Sequence, residues 1–180
     1  MKKLIVTTLL LIVTISTQAQ VKLGIKAGAN FSDLDGNFDT SMKTGFHAGA
    51  VVEIKAFNNF SLQPEVLYSM QGAKVTFSGA QEINFSYITV PVMARYYLLT
   101  DTFSLDAGPQ FAFLIDDNIG DSVANTFKSK SFDFAVAGGA TLNITKSFFA
   151  SGRYVIGLTE ASSNADIKNR VIQLSLGYTF

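Results

Sequence analysis

The chain has 180 residues, 16% charged and 48% hydrophobic, with fourteen basic and fourteen acidic side chains. That length fits one domain, and an apolar content carried partly by 16 Phe excludes disorder. The absence of Cys excludes a disulfide scaffold, a Cys-bound zinc and a thiol nucleophile; the balanced charge argues against a nucleic-acid binder.

Lys2 and Lys3 precede an apolar run from Leu4 to Ile15, and Thr17-Gln18-Ala19 ends on a small residue. This is the pattern of a secretory signal peptide, residues 1–19, cleaved after Ala19. The run is too short for a spanning helix, which needs roughly 20 residues. Losing Lys2 and Lys3 leaves twelve basic against fourteen acidic residues in the domain, residues 20–180.

That domain reads with a period of two, the mark of β-strands. Val21, Leu23, Ile25, Ala27 and Ala29 share one face and oppose Lys22, Gly24, Lys26 and Gly28. The same alternation runs through Phe46–Ala56, Phe60–Gln71, Ile88–Leu99, Phe103–Ile115, Phe132–Ile144, Phe148–Leu158 and Val171–Phe180. Each of the eight segments reaches the roughly 9–11 residues of a transmembrane β-strand. Asn58-Asn59, Thr100-Asp101-Thr102 and Lys146-Ser147 are tight turns, whereas residues 30–44, 72–84, 116–131 and 159–169 are long and polar. The expectation is all-β: an eight-stranded antiparallel up-and-down transmembrane β-barrel with short periplasmic turns and long extracellular loops.

The apolar face carries no charge on any strand and supplies five to seven mostly apolar residues per strand. An eight-stranded interior is only just wide enough to be filled by side chains, so this face should meet lipid. The other face, rich in Gly, Ala, Ser and Thr, should line the lumen. Its charges nearly balance: Lys22, Lys26, Lys55, Arg95 and Arg153 against Glu53, Glu65, Asp106 and Asp133. Paired and hydrogen-bonded, they would form an ionic network that plugs the barrel. Phe60, Phe103, Phe148 and Phe180 should mark the periplasmic rim, and Phe31, Phe46, Phe85, Phe113 and Phe132 the extracellular one. Pro64, Pro91 and Pro109 fall inside strands and lack a ladder donor, so local bulges are expected there.

The domain resembles the PorT-like, porin-family outer-membrane β-barrel proteins of Gram-negative bacteria. The resemblance rests on Ser61-Leu62-Gln63-Pro64-Glu65-Val66-Leu67-Tyr68-Ser69, Val90-Pro91-Val92-Met93-Ala94-Arg95-Tyr96-Tyr97, Asp106-Ala107-Gly108-Pro109 and Ala137-Gly138-Gly139. The ending Leu176-Gly177-Tyr178-Thr179-Phe180 is similar to a barrel-assembly signal, with Gln173, Tyr178 and Phe180 as its elements. The resemblance implies an integral outer-membrane protein without catalytic residues.

No catalytic, cofactor or metal site is assigned. His47 is the only histidine, and Glu53, on its face, is six residues and roughly 20 Å along the strand. Asp33, Asp35, Asn37 and Asp39 alternate like a calcium loop, but Phe38 stands where an EF-hand needs Gly and Thr44 where it needs Glu. Asp116, Asp117 and Asp121 are equally loose. The expected partners are outer-membrane lipids and lipopolysaccharide, the barrel-assembly machinery, and an extracellular protein met through the loops. The expected role is structural or adhesive; a narrow transport pore and a lipid-modifying enzyme are the alternatives.

Overall fold

The computed structural model describes residues 20–35, 40–75, 81–99, 101–118, 132–159 and 168–180. Residues 1–19, Asn37, Asp39 and Asp121 lie outside them. Eight strands follow in chain order: β1 (Gln20–Asp35), β2 (Thr40–Phe57), β3 (Phe60–Val75), β4 (Gln81–Leu99), β5 (Phe103–Asn118), β6 (Phe132–Asn143), β7 (Phe148–Gly157) and β8 (Lys168–Thr179). Each pairs antiparallel with the next, and β8 pairs with β1, so the sheet closes into a barrel. In lipid no water satisfies a strand edge, so closure is what lets this chain cross a membrane.

One row of ladder partners shows how the barrel winds. It runs Gln20, Lys55, Ser61, Arg95, Asp106, Gly139, Arg153, Gln173 and returns to β1 at Asn30. The return is displaced by 30 − 20 = 10 residues, a shear of ten. Such stagger requires strands tilted by about 35–45° to the axis. Beyond Thr179, the Phe180 N–H donates to the Leu23 carbonyl at 2.8 Å and extends the closing seam.

The strands outrun their expected ends. β1 continues to Asp35, β2 begins at Thr40 and β4 at Gln81, so much of residues 30–44 and 72–84 is sheet. Asn30, Ser32 and Lys43 read as loop, yet they are buried toward the lumen. The Ser32 hydroxyl accepts from Gly72 N–H at 2.9 Å, across two strands. Asp33 and Asp35 consequently belong to β1, paired in register with Arg170 and Lys168.

The prolines produce no bulge. Register is unchanged across each; instead two ladder pairs are missing on the side of the preceding strand. The gaps fall between Val51↔Glu65 and Ile54↔Leu62, between Pro64↔Val92 and Leu67↔Thr89, and between Pro91↔Gln110 and Ala94↔Ala107. Each proline keeps its pairing with the following strand and turns its missing donor to the gap. The register shifts lie elsewhere, at Met42/His47, Lys55/Phe57, Ser86/Tyr87 and Tyr97/Leu99.

Apolar residues of one parity face outward: Leu23, Ile25, Leu174 and Leu176 are all more than half exposed. Aromatic pairs edge this band. Phe148, Tyr178 and Phe180 stack in sequence at the turn side, with centroids 5.0 and 5.5 Å apart. Phe46–Tyr68, Phe111–Phe134 and Phe113–Phe132 pair at the other end. Phe85 does not join them. It shares the parity of Thr89 and Met93 and is buried in the lumen against Tyr87, whereas its neighbour Ser86 bonds the Tyr68 hydroxyl at 3.1 Å. Strand parity outweighs hydrophobicity at this position.

Leu174→Arg should destabilise the barrel by about 2–4 kcal/mol, the cost of an arginine on the lipid face near mid-membrane. Urea unfolding in lipid vesicles measures it; a midpoint equal to wild type would place this face inside.

Candidate functional site in the lumen

Inward parity collects most of the charged side chains in the barrel interior, where closure turns them toward one another and toward neutral polar neighbours. Lys26 on β1 donates to Glu65 Oε2 on β3 at 2.7 Å. Arg153 on β7 meets both oxygens of the same carboxylate, at 3.0 and 2.8 Å. β3 and β7 are four strands apart either way round the closed sheet, so this fork spans the lumen. Gln63 Nε2 adds a donor to Glu65 Oε1 at 2.7 Å. All three charged groups are almost fully buried.

A second cluster lies beside the first. Arg95 and Asp106 are ladder partners on β4 and β5, and their side chains meet through Nε and Nη2 at 3.0 and 3.2 Å. Thr141 and Ser104 hydroxyls also donate to Asp106, and Arg95 Nη1 lies 3.7 Å from Glu53. Ser61 and Tyr97 donate to Glu53 Oε1 at 2.9 and 2.5 Å. Within the two clusters three cations face three anions. A buried charge is costly unless paired and hydrogen-bonded; here each carboxylate receives both a cation and a neutral donor.

The other three charges stand apart. Lys22 is exposed at the periplasmic mouth. Lys55 turns to the rim and pairs with Asp101 in the β4–β5 turn at 2.6 Å. Asp133 is buried at the opposite end and accepts from the Thr159 hydroxyl. All three have inward parity, but the row climbs as it circles the barrel, so parity alone does not set depth.

Next to the ionic clusters on their extracellular side lies a tier of neutral side chains. Asn30 Nδ2 donates to the carbonyls of Phe46 and Met70, at 3.1 and 2.9 Å, and to Ser69. That fixes its Oδ1 as an acceptor, 2.8 Å from His47 Nδ1 and 3.2 Å from Gln173 Nε2. A neutral His47 therefore carries its proton on Nδ1, and its bare Nε2 accepts from the Ser175 hydroxyl at 2.8 Å. The polarity Ser to His to amide is that of a nucleophile relay. His47 and Asn30 are wholly buried and Ser175 is 6% exposed, however, so a substrate would have to displace the packed lumen. In this place the relay braces β8, β2 and β1. Phe85 and Tyr87 lie above it, and Phe149 is buried against Gly177 on the periplasmic side.

Sequence reading missed Tyr97, Ser61, Ser104 and Thr141 around the charges, and Ser175 as the partner of His47. The available signal was inward parity: Tyr97 is two residues from Arg95, and Ser104 two from Asp106. Gln173, expected in an assembly signal, is a buried member of the His47 cluster. Tyr178 and Phe180 lie in the rim stack. Among the described residues no group of three or more His, Asp or Glu side chains is arranged to hold a metal ion.

Residues 16–163 match the family model described as outer membrane protein beta-barrel domain. A comparison with curated proteins finds no match. Among solved structures the fold is similar to Ail, the attachment invasion locus protein of Yersinia pestis, crystallised with the heparin analogue sucrose octasulfate. The TM-score is 0.55 at 17% identity, covering 89% of this chain and 99% of that one. Neisserial surface protein A is similar at TM-score 0.56 and 13% identity, covering 88% and 97%.

Glu65→Gln keeps the shape but leaves Lys26 and Arg153 without their anion, which should cost about 3–5 kcal/mol of folding stability. A double-mutant cycle with Arg153→Met should show coupling of about 1–3 kcal/mol; additive losses in vesicle unfolding would mean that the pair does not interact.

Proposed function

Because the chain belongs to the outer membrane protein beta-barrel domain family and is an outer-membrane β-barrel, we propose that it works as a plugged structural or adhesion barrel rather than as a pore or an enzyme. One observation carries this reading: the Arg153–Glu65 fork crosses the lumen between opposite strands, with both partners buried. A permeant ion would have to break that fork and separate Arg95 from Asp106, leaving buried charges unpaired. With the lumen filled, the surfaces left for contact are the extracellular end, the lipid face and the periplasmic rim. The partners proposed are lipopolysaccharide and an extracellular protein, met at the extracellular end. The same fold serves an attachment protein, Ail, which fits a contact role.

Planar bilayers containing the folded protein should show no steady conductance. Steady nanosiemens-scale channels would overturn the plug and favour a narrow pore.

Assembly is the second part of the proposal. Tyr178 and Phe180 stack at the rim, and Phe180 bonds Leu23 across the closing seam, where the assembly machinery would read them. Deleting Tyr178 to Phe180 should block assembly in cells while the precursor is still cleaved after Ala19. Membrane-fraction yield and heat-modifiable gel mobility check this; wild-type accumulation of the shortened chain would remove the signal from these residues.

A further inference from the structure

The lipid face is not evenly filled. On β3 and β4 the outward residues include Leu62, Pro64, Val66, Ile88, Val90, Val92 and Tyr96, with Ala94 the one alanine among them. Across β6, β7, β8, β1 and β2 they include Ala140, Ala150, Gly152, Ala27, Ala48 and Ala50, and the surface sinks there into two apolar grooves. One groove, of about 580 Å³, runs from Phe103 and Leu142 at the turn side up to Leu174. The other, of about 760 Å³, runs from Ile144 and Phe148 up to Ala48. Ala27 and Leu176 line both, and Leu176, 67% exposed, stands between them. Both grooves lie in the periplasmic half of the apolar band.

We propose that these grooves hold the two acyl chains of one phospholipid of the periplasmic leaflet, with its phosphate at the β6–β7 turn. Ile144 and Thr145 of that turn line the larger groove, and the next residue, Lys146, is exposed. The turn is tied by four hydrogen bonds: Ile144 and Thr145 N–H both donate to the Phe148 carbonyl, at 2.9 and 3.1 Å, while the Thr145 hydroxyl accepts from Ser147 and Phe148 N–H. A cation next to the foot of the larger groove, with the smaller groove meeting it at Ala27 and Leu176, matches an anionic headgroup bearing two chains. A second copy of this barrel is a poorer occupant. It is convex, and would rest on Leu176 and Phe148, 67% and 55% exposed, leaving the alanine floors unfilled.

The test is native mass spectrometry of the folded barrel in detergent with equal phosphatidylglycerol and phosphatidylethanolamine, folding being verified by heat-modifiable mobility. Wild type should retain one phospholipid. Ala27→Phe, which fills both grooves from a lipid-exposed position, should lower retention about tenfold. Val66→Phe, outside the grooves, should leave it unchanged. Lys146→Gln should abolish any preference for phosphatidylglycerol. A lipid-free wild type, or equal retention by Ala27→Phe and wild type, overturns the proposal. A dimer of wild type that Ala27→Phe dissolves gives the grooves to a second copy instead.

Discussion

The structure depends on one constraint: eight strands closed with a shear of ten leave an interior that side chains must fill. Closure follows from the bilayer, since an open edge in hydrocarbon leaves backbone groups unbonded. Once the sheet is closed, every second residue is committed to a narrow shared space. The chain fills it with small residues along the walls and a few long polar ones across the middle. Arg153 reaches Glu65 from the opposite strand, and Lys26 completes the same carboxylate's shell.

Polar filling is a physical choice with a cost. An apolar core of the same volume would be easier to desolvate, and a small one is present in Met93, Ala135, Ala137, Val155 and Val171. The outward face is already apolar, so an apolar interior as well would leave the two faces alike. Strand register would then be weakly specified, because a one-residue slip exchanges the faces. Lysine, arginine and carboxylate positions penalise such a slip heavily, since a charge on the lipid face costs several kcal/mol. The ionic clusters thus support register as well as spanning the lumen. The prolines fit the same scheme, each removing ladder pairs on one side only and leaving the register intact.

Not every lumenal group is fully served. The side-chain oxygens of Gln110, Asn169 and Gln173 are buried without a partner among the described residues. Gln110 and Gln173 lie near the neutral His47 tier and Asn169 beyond it, on the extracellular side of the ionic clusters. Tight charge pairing toward the periplasm and looser amide bonding above it make the lumen unequal along its axis.

The sequence by itself determined the strand count, the antiparallel order, the membrane location and which face meets lipid, because side-chain alternation is local and survives without any knowledge of neighbours. It also placed the inward charges of Lys26, Glu53, Glu65, Arg95, Asp106 and Arg153 on one parity. It misjudged strand ends, since Asn30 and Ser32 look like loop until a lumen supplies their bonds, and it put Phe85 on the wrong face by weighing hydrophobicity over parity. Only the tertiary structure decided who meets whom. Lys55 and Lys22 share parity with Arg95 yet end at the rim, and His47 meets Ser175, 128 positions away in the chain. Such pairings depend on shear, which sets how far a row climbs as it circles the barrel. That quantity arises when the last strand finds the first, and no local stretch of sequence contains it.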